Sequence, residues 1–169
     1  MLSGFTNGVI ATFQNASVFM KMLTTGAVSL IPVIELRGGI PVGTALGLNI
    51  WQSFISAVIG NMIPIPFILL FLTKIFELMR KYVPVFERFI TFLERKAEKN
   101  SDLVKKYERL GLFILVAIPL PGTGAWTGAL VASLLELKFK DSLLTIFYGV
   151  LAAGVIVTLV TSGVVFFIR

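Results

Sequence analysis

Long uncharged apolar runs alternate with short polar links along this chain, but the runs are not all shaped like simple membrane-crossing helices. From Gly38 to Thr73 no residue is charged. As one helix this run would be about 54 Å long, against a hydrocarbon core of about 30 Å, so it must break or fold back. The break signal is Gly38-Gly39-Ile40-Pro41, directly after Glu35 and Arg37. The pattern predicts a re-entrant hairpin over residues 24–48 and a membrane span over 52–72. A second uncharged run, 110–135, could cross a bilayer as one helix, yet it carries Pro119, Pro121, Gly122, Gly124 and Gly128 near its centre. Each proline removes a backbone donor and restricts the residue before it, so this run also breaks. In hydrocarbon, irregular backbone persists only when buried in protein or lining a wet cavity. The last run, 142–168, is apolar and unbroken, a second span.

The remaining stretches are amphipathic. In residues 1–23, Phe5, Val9, Phe13, Ala16 and Met20 fall near helical spacing among polar residues, which fits a helix on the membrane surface or a first spanning helix. Residues 74–109 are rich in Lys and Arg, with an apolar stripe of Phe86, Phe89, Ile90, Leu93, Ala97, Val104 and Tyr107. This predicts a basic helix on the cytoplasmic face, its aromatic side against lipid and its charge favouring anionic headgroups.

Composition narrows the class further. Of 169 residues 56% are hydrophobic, which a soluble domain does not sustain, so the chain is read as an all-α integral membrane protein of the cell membrane, multi-pass. There is no cysteine and no histidine. Disulfides, thiolate chemistry and imidazole metal sites are excluded, no metal or other cofactor is expected, and an enzyme is disfavoured for want of a nucleophile–base pair. The net charge of +6 belongs to the basic stretches beside membrane segments, so nucleic acid is not an expected partner.

The order of elements repeats. Residues 1–73 and 74–169 each read as amphipathic helix, broken hairpin and unbroken span within a single membrane domain. Gly39-x-x-x-Gly43 can be laid over Gly124-x-x-x-Gly128, with Ile31-Pro32 and Ile118-Pro119 upstream. Lys138 and Lys140 prefer the cytoplasm, as the basic helix does, so the second hairpin enters and leaves on one side and the two halves are inverted. Inverted repeats with broken segments are a transporter architecture. Two unbroken spans are too few to surround two hairpins, which predicts a homodimer; Gly149, Ala152, Ala153 and Gly154 offer a close-packing face.

Glu35-Leu36-Arg37-Gly38-Gly39-Ile40-Pro41 and Pro119-Leu120-Pro121-Gly122-Thr123-Gly124-Ala125-Trp126-Thr127-Gly128 resemble the two signature stretches of the small multidrug export proteins. They are more loosely similar to the larger DedA membrane proteins, although the second hairpin lacks the arginines those proteins carry there. The first resemblance implies efflux of small toxic compounds. The second implies two facing hairpins and translocation of phosphate-bearing lipids such as polyprenyl phosphate.

Glu35 and Arg37 are an acid and a base at membrane depth, where charges are costly and face a cavity or each other. Either they neutralise one another, or Arg37 holds a phosphate while Glu35 carries a coupling proton. Free amides at Gly38, Gly39, Gly122, Thr123 and Gly124 would add two helix-dipole ends, with Pro41, Pro119 and Pro121 shaping the breaks. Thr123 and Thr127 can donate hydroxyls, and Trp126 either packs on substrate or sits in an interfacial belt. Asn61, ahead of Pro64 and Pro66, either lends an amide to the cavity or bonds a neighbouring helix. The leading function is translocation of an amphiphilic anion, lipid phosphate above all, between leaflets. The alternatives are export of a small cationic drug and a scaffold that transports nothing.

Overall fold

The computed structural model describes residues 16–72, 91, 95, 109–120 and 122–168, and its regular elements among these are helices. Most of both amphipathic stretches, and Pro121, lie outside the described residues. The helices are α1 (Val18–Leu30), α2 (Glu35–Ala45), α3 (Ile50–Met62, helical again over residues 65–72), α4 (Arg109–Ala117), α5 (Ala125–Leu134) and α6 (Phe139–Ile168). Two stretches are long and apolar enough to cross a membrane, Ile50–Leu72 and Phe139–Gly163. Ile55, Ile59, Phe67, Leu144, Tyr148 and Leu159 leave their side chains exposed along these two helices. Such faces suit lipid and would be a liability in water.

The chain forms two compact units. The first comprises residues 1–61 and 154–169. Its α1 starts at an N-cap, Ser17, whose hydroxyl accepts from the Met20 amide at 3.3 Å. α1 and α2 pack as an antiparallel pair through small residues. A Cβ on Gly39 would collide with the Ser29 hydroxyl, and one on Gly43 would come within 2.9 Å of Thr25 Oγ1 and 2.7 Å of Ser53 Oγ. The hydroxyls of Thr25 and Ser29 are satisfied within α1, on the carbonyls of Lys21 and Thr25, both at 2.9 Å. α3 then crosses α1 so closely that a Cβ on Gly60 would overlap the Gly26 carbonyl oxygen. Close approach through small residues is the packing mode available where helices gain little from burying apolar surface.

The break in this unit is displaced from the expected place. Gly38, Gly39 and Pro41 lie inside α2, and the chain turns instead at residues 31–34, around Pro32. The glycines are where α1 comes closest, so their lack of a side chain serves packing rather than a turn. Pro41 costs α2 one hydrogen bond and does not end it. The first helix also begins earlier than expected, at Val18.

The second unit comprises residues 62–153. Here α4 and α5 pair around a break at residues 118–120 and 122–124, where Pro119 and the glycines place it. A Cβ on Gly128 would meet Val116 Cγ2 at 2.5 Å, and one on Gly149 of α6 would meet Val116 Cβ at 2.7 Å and the Phe113 carbonyl at 3.3 Å.

Each hairpin closes onto the following helix in the same manner. After α2, the Gly47 amide bonds Thr44 O at 3.0 Å and the Leu48 amide bonds Gly43 O at 3.0 Å. After α5, the Glu136 amide bonds Ser133 O at 3.2 Å and the Leu137 amide bonds Ala132 O at 3.0 Å. Gly47 and Glu136 both take positive φ, +85° and +52°, as this kind of C-terminal closure requires. A reciprocal box then starts α3, the Gln52 amide on Asn49 Oδ1 at 2.9 Å and the Asn49 amide on Gln52 Oε1 at 3.2 Å.

Candidate functional site

The residues singled out in the sequence fall into two groups, one in each unit. In the first unit the turn at 31–34 delivers Glu35 as the first residue of α2, with φ +50°, and buries it to 3% exposure. Val33, two residues earlier, also takes positive φ, +75°, although it is β-branched and exposed. A β-branched residue in that region is uncommon and strained. Arg37 stands with its terminal nitrogen 3.8 Å from a Glu35 carboxylate oxygen, and its side chain is 20% exposed against 4% for Glu35. At that distance the two charges compensate one another without a short hydrogen bond.

The amide cradle differs from the one expected at Gly38 and Gly39. The Gly38 amide bonds the Ile34 carbonyl at 3.2 Å, since the helix starts at Glu35. The positive end of the α2 dipole therefore lies at Glu35–Arg37 itself. No side chain caps this helix start.

In the second unit the break from Ile118 to Gly124 is held from within. The Thr123 hydroxyl lies 2.7 Å from the Ile118 carbonyl and 2.8 Å from the Leu120 carbonyl, and the Leu120 amide reaches it at 3.2 Å. The Thr123 amide bonds Leu120 O at 3.1 Å, and the Gly124 amide bonds Leu115 O at 3.2 Å. Those amides and that hydroxyl close the break. Gly122 and Gly124 take φ of +92° and +114°, and Gly124 is the N-cap of α5, again with no side-chain cap. Thr127 is buried in the first turn of α5, and Trp126 is half-buried beside it. Pro119 is half-buried in the break.

Positive-φ positions of the two hairpins correspond at one constant spacing: Val33 with Gly122, Glu35 with Gly124, Gly47 with Glu136. The same spacing pairs Gly39 with Gly128, Ser53 with Ser142 and Gly60 with Gly149. The glycine overlay therefore shifts from the one expected, in which Gly39 faced Gly124. Ser53 and Ser142 are both buried, and neither hydroxyl has a hydrogen-bond partner among the described residues. They were not singled out from the sequence, because a serine in an apolar span reads as a packing residue. Asn61 does not meet the expectation of a bond to a neighbouring helix: it is fully buried and neither side-chain polar atom has a partner among the described residues.

At the α4–α6 end of the second unit, a pocket of about 320 Å³ is lined by Arg109, Glu136, Lys138, Asp141 and Ser142 among others. Arg109 and Asp141 form an ion pair of 2.5 Å across it, with the Arg109 side chain 69% exposed. No group of three or more acidic residues that could hold a metal occurs among the described residues.

A family model described as "Putative small multi-drug export protein" matches residues 35–156, from the buried glutamate at the start of α2 through the second hairpin into α6. No curated protein and no solved structure matches the chain significantly. With a match covering most of its length and two helices fit to cross a membrane, the chain belongs to this small multidrug export family of membrane proteins.

Proposed function

We propose that the protein is a multi-pass cell-membrane transporter that moves an amphiphilic anion, such as a polyprenyl-phosphate-type lipid, between leaflets. The observation that carries this reading is the pair of uncapped helix starts, α2 at Glu35 and α5 at Ala125, both buried, with Arg37 in the first turn of α2. A buried helix start turns the positive end of its dipole into the protein interior, and such an end suits phosphate. The amides orient the anion with partial charges, and Arg37 supplies a full one.

The architecture supports the same reading. α1, α2 and α5 have 13, 11 and 10 residues, about 20, 17 and 15 Å, each short of a bilayer core, as re-entrant arms are. The ring of Phe54, near the start of α3, lies against Gly154 in the later part of α6, as expected of spans running in opposite directions in an inverted repeat. A homodimer would cover hairpin backbone that lipid cannot satisfy. None of this requires chemistry on the substrate, so the protein is read as a carrier and not an enzyme.

A second reading, export of a small cation, draws on the family description and on Glu35 being more deeply buried than Arg37. Reconstituted liposomes separate the two. Arg37→Gln should cut translocation of a fluorescent phosphate-headed lipid by at least tenfold while leaving the yield of folded protein unchanged, and Arg37→Lys should recover part of it. Normal lipid movement by Arg37→Gln, with loss of drug efflux in Glu35→Gln, would transfer the assignment to cation export. Loss of folded protein in both single variants would mark the pair as structural.

A further inference from the structure

We infer that the interruption of α3 at Asn61–Pro64 is a binding site for an alkali-metal cation. Asn61 is 0% exposed, and neither its Oδ1 nor its Nδ2 has a hydrogen-bond partner among the described residues. A carboxamide buried in this way is expected to have a partner, and one without is destabilising unless something from outside the chain fills the gap. The neighbouring backbone has the same need. Residues 64 and 66 are prolines, so the carbonyls of Gly60 and Met62 lose the amides that would donate to them in a continuous helix. The helix is accordingly interrupted by a turn at residues 63–64. Within two turns of one apolar helix the chain thus presents an unpartnered Oδ1 and carbonyls stripped of their helical donors.

Every one of those groups except Nδ2 is an oxygen acceptor, so the missing partner is a cation or a donor such as water. Broken membrane helices hold small monovalent ions by this means, with unwound carbonyls in place of the hydration shell. A divalent ion is a poor fit, because such ions take carboxylates and no residue from Gly38 to Thr73 is charged. Nδ2 is then satisfied by a water retained on the ion. The corresponding part of α6 makes the same point from the other side. At the matching places it carries Val150, Ala153 and Val155, with no polar side chain and no proline, and it runs as one helix without a turn. The polar residue and the helix break occur together or not at all.

The test needs no transport and does not depend on the substrate. Purified protein in detergent is melted in NaCl, in KCl and in choline chloride at equal ionic strength. The wild type should melt roughly 5–10 °C higher in one of the alkali salts at a hundredfold excess over the dissociation constant. Asn61→Leu should lose that shift and melt no lower than the wild type in choline, since it removes an unpartnered buried amide. Pro64→Ala gives a separate reading, because its new N–H can take the Gly60 carbonyl; the half-saturating salt concentration should rise at least tenfold. No difference among the three salts for the wild type, as a site filled by water alone would give, overturns the assignment. So does an alkali-specific shift that survives in both variants.

Discussion

At the tip of the first hairpin the chain holds Val33 at φ +75° and Glu35 at φ +50°; at the matching places in the second it holds Gly122 at +92° and Gly124 at +114°. Both tips bend the backbone at positive φ, and glycine does so without steric cost. A residue with a side chain there is disfavoured by about 1–2 kcal/mol, so the first hairpin retains strain that its counterpart avoids. Glu35 is also nearly fully buried at this strained place, with a cation beside it. The second tip carries no such charge and closes on itself through Thr123. The first tip thus combines strain, burial and charge, whereas the second is closed by neutral groups.

Substitutions at the matched positions can break that contrast. The largest effect is expected at the helix crossings. Gly60→Ala puts a Cβ into the Gly26 backbone, which cannot move aside as a side chain can, and should cost about 3 kcal/mol or more. Gly149→Ala at the matching place meets chiefly the Val116 side chain and should cost less, about 1–2 kcal/mol. Melting temperatures of the two variants in detergent give the comparison directly, and equal losses would remove the distinction between backbone and side-chain contact.

Gly124→Ala comes next. Its φ of +114° and ψ of −172° lie in a region open to glycine alone, so the change should destabilise by about 1–3 kcal/mol. Thr123→Val leaves the Leu120 amide and two carbonyls without their hydroxyl and should cost about 1–2 kcal/mol, with faster proteolysis near the break. A Thr123→Val protein of normal stability but impaired transport would instead make this hydroxyl a substrate contact.

The smallest effect has the opposite sign. Val33→Gly should raise the melting temperature by about 2 °C. Relief of left-handed strain, about 1–2 kcal/mol, slightly exceeds the roughly 0.5–1 kcal/mol of extra chain entropy that glycine brings to the unfolded state. The side chain is exposed, so little packing is lost. A lower melting temperature would mean that the valine contributes something its exposure does not reveal.

Much of the helix order was readable from residue pattern. Proline chemistry is local, so Pro119 and the glycines after it marked the second break wherever the rest of the chain went. Charge exclusion over residues 38–73 and 142–168 marked both long apolar helices for the same reason. The first break was misplaced because Gly38-Gly39-Ile40-Pro41 has two physical uses, a turn or a close helix contact. Only the presence of Ser29 and Thr25 on the neighbouring helix selects the second. The amide cradle moved with it, from Gly38–Gly39 to the helix start at Glu35. Composition alone determined that the chain is apolar, helical and free of thiol or imidazole chemistry. Which backbone positions carry strain, which glycines are contacts and which buried amide lacks a partner among the described residues depend on neighbours distant in the chain. Those contacts exist only once the hairpins have closed, and tertiary structure alone decided them.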